Sequence, residues 1–158
     1  MEANPFLSDF IDQRWEKYHA DLETCRAEFK ETAVHDLRVA TRRLLAALEL
    51  IRAFDPHPRV KKLRRSLKNQ LDGFDNLRDV QVMLFDISKN IESLPELAPF
   101  QQHLQKREKR LLRAAEKHVR TIKLTTFNKR LLKVRETLAA IPADELPPRL
   151  LQAVDEAY

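Results

Sequence analysis

This 158-residue chain has one glycine, one cysteine and few aromatic residues, which make up 7% of it. The single glycine, Gly73, excludes a Walker loop and a dinucleotide fingerprint. Both need several glycines for tight turns and for close approach of backbone to phosphate. A phosphate ligand must therefore be held by side chains. The single cysteine, Cys25, permits neither an intramolecular disulfide nor a cysteine-based zinc site. It keeps the register of an apolar helical stripe, so it reads as a buried, inert thiol suited to a reducing compartment. No apolar run approaches the ~20 residues of a membrane span. The N-terminal MEANPFLSDF lacks the basic start and apolar stretch of a signal peptide. A cytoplasmic protein without membrane contact is expected. Period-two alternation is also missing, and with it any sign of strands.

What the chain does have is charge, in blocks. Hydrophobic residues make up 43% and charged residues 34%, a globular balance rather than a disordered one. The net charge is +5, unevenly spread. Residues 34–79 carry 11 basic and 6 acidic groups, and residues 101–135 carry 12 and 2. The segments 1–33 and 136–158 are each net −4. Two basic blocks between acidic ends are the footprint of a polyanion binder.

The hydrophobic pattern is helical throughout. Asn4-Pro5 is a good start for a first helix, which carries Leu7, Ile11, Trp15, Tyr18, Leu22, Cys25 and Phe29 and ends near Lys30. Thr32 is placed to cap a second helix, which runs to Phe54 before Asp55-Pro56-His57-Pro58 stops it. A third, with Val60, Leu63, Leu67 and Leu71, is expected to end at Gly73. Asp75 or Asn76 then caps a fourth with Leu77, Val80, Leu84, Ile87 and Ile91. A fifth covers about Phe100 to Ile122, and Thr125 or Thr126 starts a sixth. Pro142 and Pro147-Pro148 interrupt before a short terminal helix of Arg149 to Tyr158. The expected fold is one all-α domain, an antiparallel bundle of six to seven helices with short connections.

The second helix separates its residues most cleanly. At about 100° per residue, Val34, Leu37, Thr41, Leu44, Leu48 and Ile51 fall on one side. His35, Arg38, Arg42 and Ala46 fall on the other, flanked by Arg43, with no carboxylate on that side until Glu49. A helix that needs only solubility mixes its signs. A line of forked guanidiniums and an imidazole suits an extended polyanion. Lys61, Arg65 and Lys68 share a face of the third helix. Lys106, Arg110, Arg113, Lys117 and Arg120 form a stripe about 20 Å long on the fifth. Arg78 is expected beside the free N–H groups at the start of the fourth helix, where an anion is favoured, with Asp79 as a structural acid. Lys129 and Lys133 stand one turn apart on the sixth.

Enzyme readings find less support. Glu16 and His19 have the spacing used in di-iron bundles, but those need a second such motif and further inward carboxylates. His35-Asp36 matches the doublet of some metal-dependent phosphohydrolases, yet the remaining histidines are not next to acidic clusters. His57, between two prolines, reads as a turn residue.

The run VHDLRVATRRLLAALELI resembles the signature of the CHAD family, the conserved histidine α-helical domains, through His35, Arg38, Arg42, Arg43 and Leu44. LKNQLDGFDNLRDVQVM is similar to the family's second motif, through Lys68, Gly73, Arg78 and Asp79. The resemblance implies an all-helical domain with a basic groove that binds inorganic polyphosphate. It also implies two similar halves, of which this chain shows the first, so that the chain is either a fragment or a natural half-domain that pairs. A homodimer could complete the groove. The expectation is thus a non-enzymatic polyphosphate-binding module, without metal or other cofactor, associated with polyphosphate granules. Its ligand contacts are His35, Arg38, Arg42, Arg43, Lys61, Arg65, Lys68, Arg78, Lys106, Arg110, Arg113 and Lys117. The alternatives are a nucleic-acid-binding helical domain and, behind it, a metal-dependent phosphohydrolase.

Overall fold

The computed structural model describes residues 5–157. Among them are six α-helices and no strands: α1 (Phe6–Ala27), α2 (Glu31–Ile51), α3 (Pro58–Asn90), α4 (Ala98–Thr121), α5 (Leu124–Ala139) and α6 (Leu146–Ala157). A single 3-10 turn, Pro95–Leu97, precedes α4. The all-α reading holds. None of these helices is long and apolar enough to cross a membrane.

The largest departure from expectation is α3. Gly73 does not end a helix but lies inside one continuous helix of 33 residues. No described residue has a positive φ, Gly73 included. Val60, Leu63, Leu67, Gln70, Phe74, Leu77 and Val80 are all buried. Their spacing of three and four passes through Gly73 in register. One glycine costs a helix interior only about 1 kcal/mol, less than burial of a single large side chain returns. Neither Asp75 nor Asn76 is therefore a cap, and Arg78 and Asp79 sit within the helix, not beside free N–H groups. A Cβ built at Gly73 meets nothing within 4 Å. Gly73→Ala is accordingly expected to stabilise the chain by about 1 kcal/mol, seen as a rise of about 2–4 °C in thermal midpoint. A fall would contradict the uninterrupted helix.

Smaller corrections concern the ends. Asn4 lies outside the described residues. The Ser8 hydroxyl and the Asp9 N–H both donate to the Pro5 carbonyl at 2.8 Å, closing the first turn of α1. α1 ends at Ala27, and Lys30, in extended conformation, precedes α2 in place of Thr32. α2 ends at Ile51, three residues short of Phe54. Lys123 rather than a threonine precedes α5. Pro147 and Pro148 begin α6 instead of interrupting the chain. In the first turn their missing N–H groups cost nothing.

The chain forms two compact units. The first comprises residues 1–68 and 123–158, hence α1, α2, the start of α3, α5 and α6. The second comprises residues 69–122, the rest of α3 and α4. In the first unit the short link of residues 28–30 folds α1 back along α2. Leu7, Ile11, Tyr18, Leu22 and Cys25 are buried there with Leu37, Leu44, Leu48 and Ile51. The thiol is buried as expected. α5 docks on α1 through stacked rings: Phe127 lies 4.9 Å from Trp15 and 6.0 Å from Tyr18, centroid to centroid.

Arg135 of α5 pairs with Asp12 of α1 at 2.8 Å. Burial nevertheless pushes the Asp12 carboxyl above its ordinary 3.8, helped by Asp9 and Glu16 and opposed by Arg135. An acid whose folded pKa lies above its unfolded one penalises folding while it is ionised. That penalty is fully present above the folded pKa and fades as pH drops below it. Asp12→Asn is therefore expected to leave the thermal midpoint at pH 7 equal to or above that of the parent. Its advantage should shrink as pH falls from the raised folded pKa toward the ordinary 3.8, and be gone below that. A variant less stable at pH 7 would mean that Arg135 outweighs burial.

Candidate functional site

The buried side of α2 is Ala33, Leu37, Ala40, Thr41, Leu44, Ala47, Leu48 and Ile51. Thr41 is polar but satisfied, since its hydroxyl donates to the Leu37 carbonyl at 2.7 Å. This apolar anchoring fixes the rotation of the helix and turns His35 and Arg42 to solvent, with Arg38 half-buried beside them. Glu49 lies two and three turns further along that flank, seven residues from Arg42 and eleven from Arg38. It is not left to neutralise the row. Arg64 of α3 engages Glu49, donating from Nε at 2.7 Å and from Nη2 to the same oxygen. This carboxylate is thus paired across helices, and the other acid at the same helical angle, Glu31, stands exposed in the first turn of α2. Arg38 and Arg42 also engage other groups of the protein.

Arg43 stands apart from this line, one residue and about 100° round from Arg42. It shares its flank with Asp36, and both act on Lys17 of α1. Lys17 is 2.8 Å from Asp21. The hydrogen bond and charge of Asp21 hold its ammonium above the ordinary 10.5; Asp36 adds to this and Arg43 opposes it. Arg43 therefore borders α1.

On α3, Lys61, Arg65 and Lys68 are exposed and Val60, Leu63 and Leu67 are buried. The face is real, and it belongs to the first unit together with the α2 row.

The second unit carries the other expected contacts. Arg78 is exposed on the middle of α3. On α4, Leu104, Ala115 and Val119 are buried. Lys106, Arg110, Arg113, Lys117 and Arg120 occupy the side opposite to them and are exposed. Glu116 relieves part of the repulsion in this stripe by pairing with Arg120 at 2.8 Å. Partial burial of the His118 ring lowers its pKa below 6.5. The imidazole is therefore neutral at pH 7 and adds no charge there.

The metal-binding patterns in the sequence do not assemble. His19 is exposed, its ring 5.8 Å from that of Trp15. Among the described residues no three His, Cys, Asp or Glu side chains come together as a group that could hold a metal ion.

The family model of the CHAD domain matches residues 10–158, essentially the whole chain. The chain belongs to the CHAD family. The two motifs read from the sequence thus fall within a match that extends well beyond them. Comparison of this CHAD chain with curated proteins and with solved structures gives no match.

One group of cationic residues escaped the sequence reading. His57 and Arg59, at the entry to α3, and Lys129, Arg130 and Lys133, on α5, line one cleft of about 560 Å³. The only advance signal was the spacing of Lys129 and Lys133. The approach of α5 to the start of α3 is a tertiary fact with no local trace.

Proposed function

We propose that this CHAD chain binds inorganic polyphosphate and carries out no chemistry on it. The observation that carries the reading is the α2 row. His35, Arg38 and Arg42 lie along one flank of a helix whose opposite face is buried, and Glu49, the acid that follows them on that flank, is engaged by Arg64. Polyphosphate repeats an anionic group at short, regular spacing, and guanidiniums bind such oxygens in forked geometry. Lys61, Arg65 and Lys68 extend the row within the first unit. Arg78, Lys106, Arg110, Arg113 and Lys117 give the second unit a basic face of its own for the same class of ligand. Arg43, on the α1 side, contributes charge rather than a place in the line. Family membership supports the reading, since the family is linked to polyphosphate.

A second copy of the chain is the partner we assign for completing the groove. Supporting it are exposed apolar side chains on the second unit, Val82, Met83 and Phe85 on α3 and Phe100 on α4. A two-helix unit of this kind has little core of its own. Light scattering reads the oligomeric state directly.

Titration with long-chain polyphosphate at several salt concentrations tests the reading. Affinity is expected to fall with a slope of about −0.7 per neutralised phosphate. For about five contacts, a fourfold rise in salt then costs about a hundredfold in affinity. A flat salt response would contradict an ionic row. Release of orthophosphate on adding a divalent cation, abolished by His35→Ala or Asp36→Ala, would contradict the non-enzymatic reading.

A further inference from the structure

We infer a second, separate anion site, built for a compact triphosphate-type ligand, in the cleft between the entry to α3 and α5. It lies wholly within the first unit and uses none of the residues assigned above to polyphosphate. At about 560 Å³ its size suits a small molecule. Arg59, Lys129, Arg130 and Lys133 bring four permanent cations to it, and Glu136 is the one acid among the lining residues. Lys133 and Glu136 pair at 3.4 Å, a weak exposed contact. The lining is therefore net cationic, and several linked phosphates in a small volume are the ligand that matches it.

The loop before α3 prepares two of these groups. The Asp55 side chain, almost fully buried, accepts a hydrogen bond from the His57 N–H through Oδ1 at 3.2 Å. The Arg59 N–H in turn donates to His57 Nδ1 at 3.2 Å. With Nδ1 committed as acceptor, a neutral His57 ring carries its proton on Nε2 and can donate to an anion without becoming charged. Arg59 Nε lies 3.9 Å from Asp55 Oδ2, and both atoms are buried with no hydrogen-bond partner. Asp55 thus holds Arg59 near the cleft without closing a full ion pair. The apolar wall contributed by Leu132, 44% exposed, gives an organic group carrying the phosphates a surface to cover.

The test uses the whole chain with the α2 row disabled by Arg38→Gln and Arg42→Gln. Inorganic tripolyphosphate is titrated by calorimetry, and ATP in a parallel arm. Ring-nitrogen NMR of His57 is followed in both. One molecule of tripolyphosphate is expected to bind per chain and to shift His57 Nε2. Adding Lys129→Glu and Lys133→Glu should weaken this by about tenfold or more. Glu136→Gln alone should tighten it. Circular dichroism of each variant checks the fold. Binding of ATP with a shift of the Leu132 methyls makes the ligand an organic triphosphate. Binding of tripolyphosphate alone makes it the free anion. No binding in the row-disabled chain, or binding unmoved by the lysine reversals, would overturn the site while leaving the polyphosphate reading intact. If the row substitutions leave long-chain binding unchanged, that reading fails instead, and this site stands on its own titration.

Discussion

Reversing the α2 row with Arg38→Glu and Arg42→Glu is expected to lower affinity for long-chain polyphosphate by about a hundredfold or more. Each substitution removes a charge-assisted contact worth about 1.5–3 kcal/mol and places a carboxylate where a phosphate should lie. The salt slope should also flatten by about 1.4, twice the contribution of one contact. Arg38 and Arg42 engage neighbouring groups of the protein, so the milder Arg38→Gln and Arg42→Gln pair accompanies the reversal. The glutamine pair should lose less affinity than the glutamate pair, with thermal midpoints close to that of the parent. Equal affinity in parent and reversed chain would remove this row from the site.

The second large effect concerns what holds the row in place. Leu44 is fully buried on the apolar side of α2, one turn from Thr41 and Leu48, which are also fully buried. Leu44→Ala deletes apolar volume from the face that sets the rotation of the helix. The expected cost is about 3 kcal/mol, within the 2–5 typical of such truncations. For a chain of this length that lowers the thermal midpoint by about 6–12 °C. Leu151→Ala is the control, since Leu151 is 67% exposed on α6. It should change the midpoint by no more than about 1–2 °C. Equal shifts in the two variants would mean that α2 is not anchored as described.

How far the structure could be read in advance varied with the range of the interaction involved. The α2 face was legible because both of its halves are written in one stretch of sequence. Leu37, Thr41, Leu44 and Leu48 repeat at helical spacing, and the arginines fill the gaps. Engagement of Glu49 by Arg64 was not legible, because fifteen residues and a turn separate them. α3 runs on past the expected break because the buried stripe through Gly73 outweighs the cost of the glycine. Leu67, Phe74 and Leu77 keep one register across that glycine, and the register was the signal to follow. The helix starts were misplaced wherever a threonine stood nearby. Lys30 and Lys123 precede α2 and α5 without a side-chain cap, so packing rather than capping fixes those ends. Lys129 and Lys133 gave only their spacing. Their meeting with His57 and Arg59 depends on α5 docking, which Phe127 secures against Trp15 and Tyr18.

If the row binds as proposed, side chains on these helices select linear polyphosphate and not polyanions in general. Competition tests it most directly: the chain loaded with long-chain polyphosphate is titrated with single-stranded RNA of matched charge at near-physiological salt. RNA binders of that kind stack bases on exposed aromatic rings, whereas α2 carries no aromatic residue and the exposed Phe6, Phe85 and Phe100 lie on other helices. The account predicts that RNA displaces polyphosphate poorly, even in large excess. Displacement at equal charge concentration would contradict it and leave a generic basic surface.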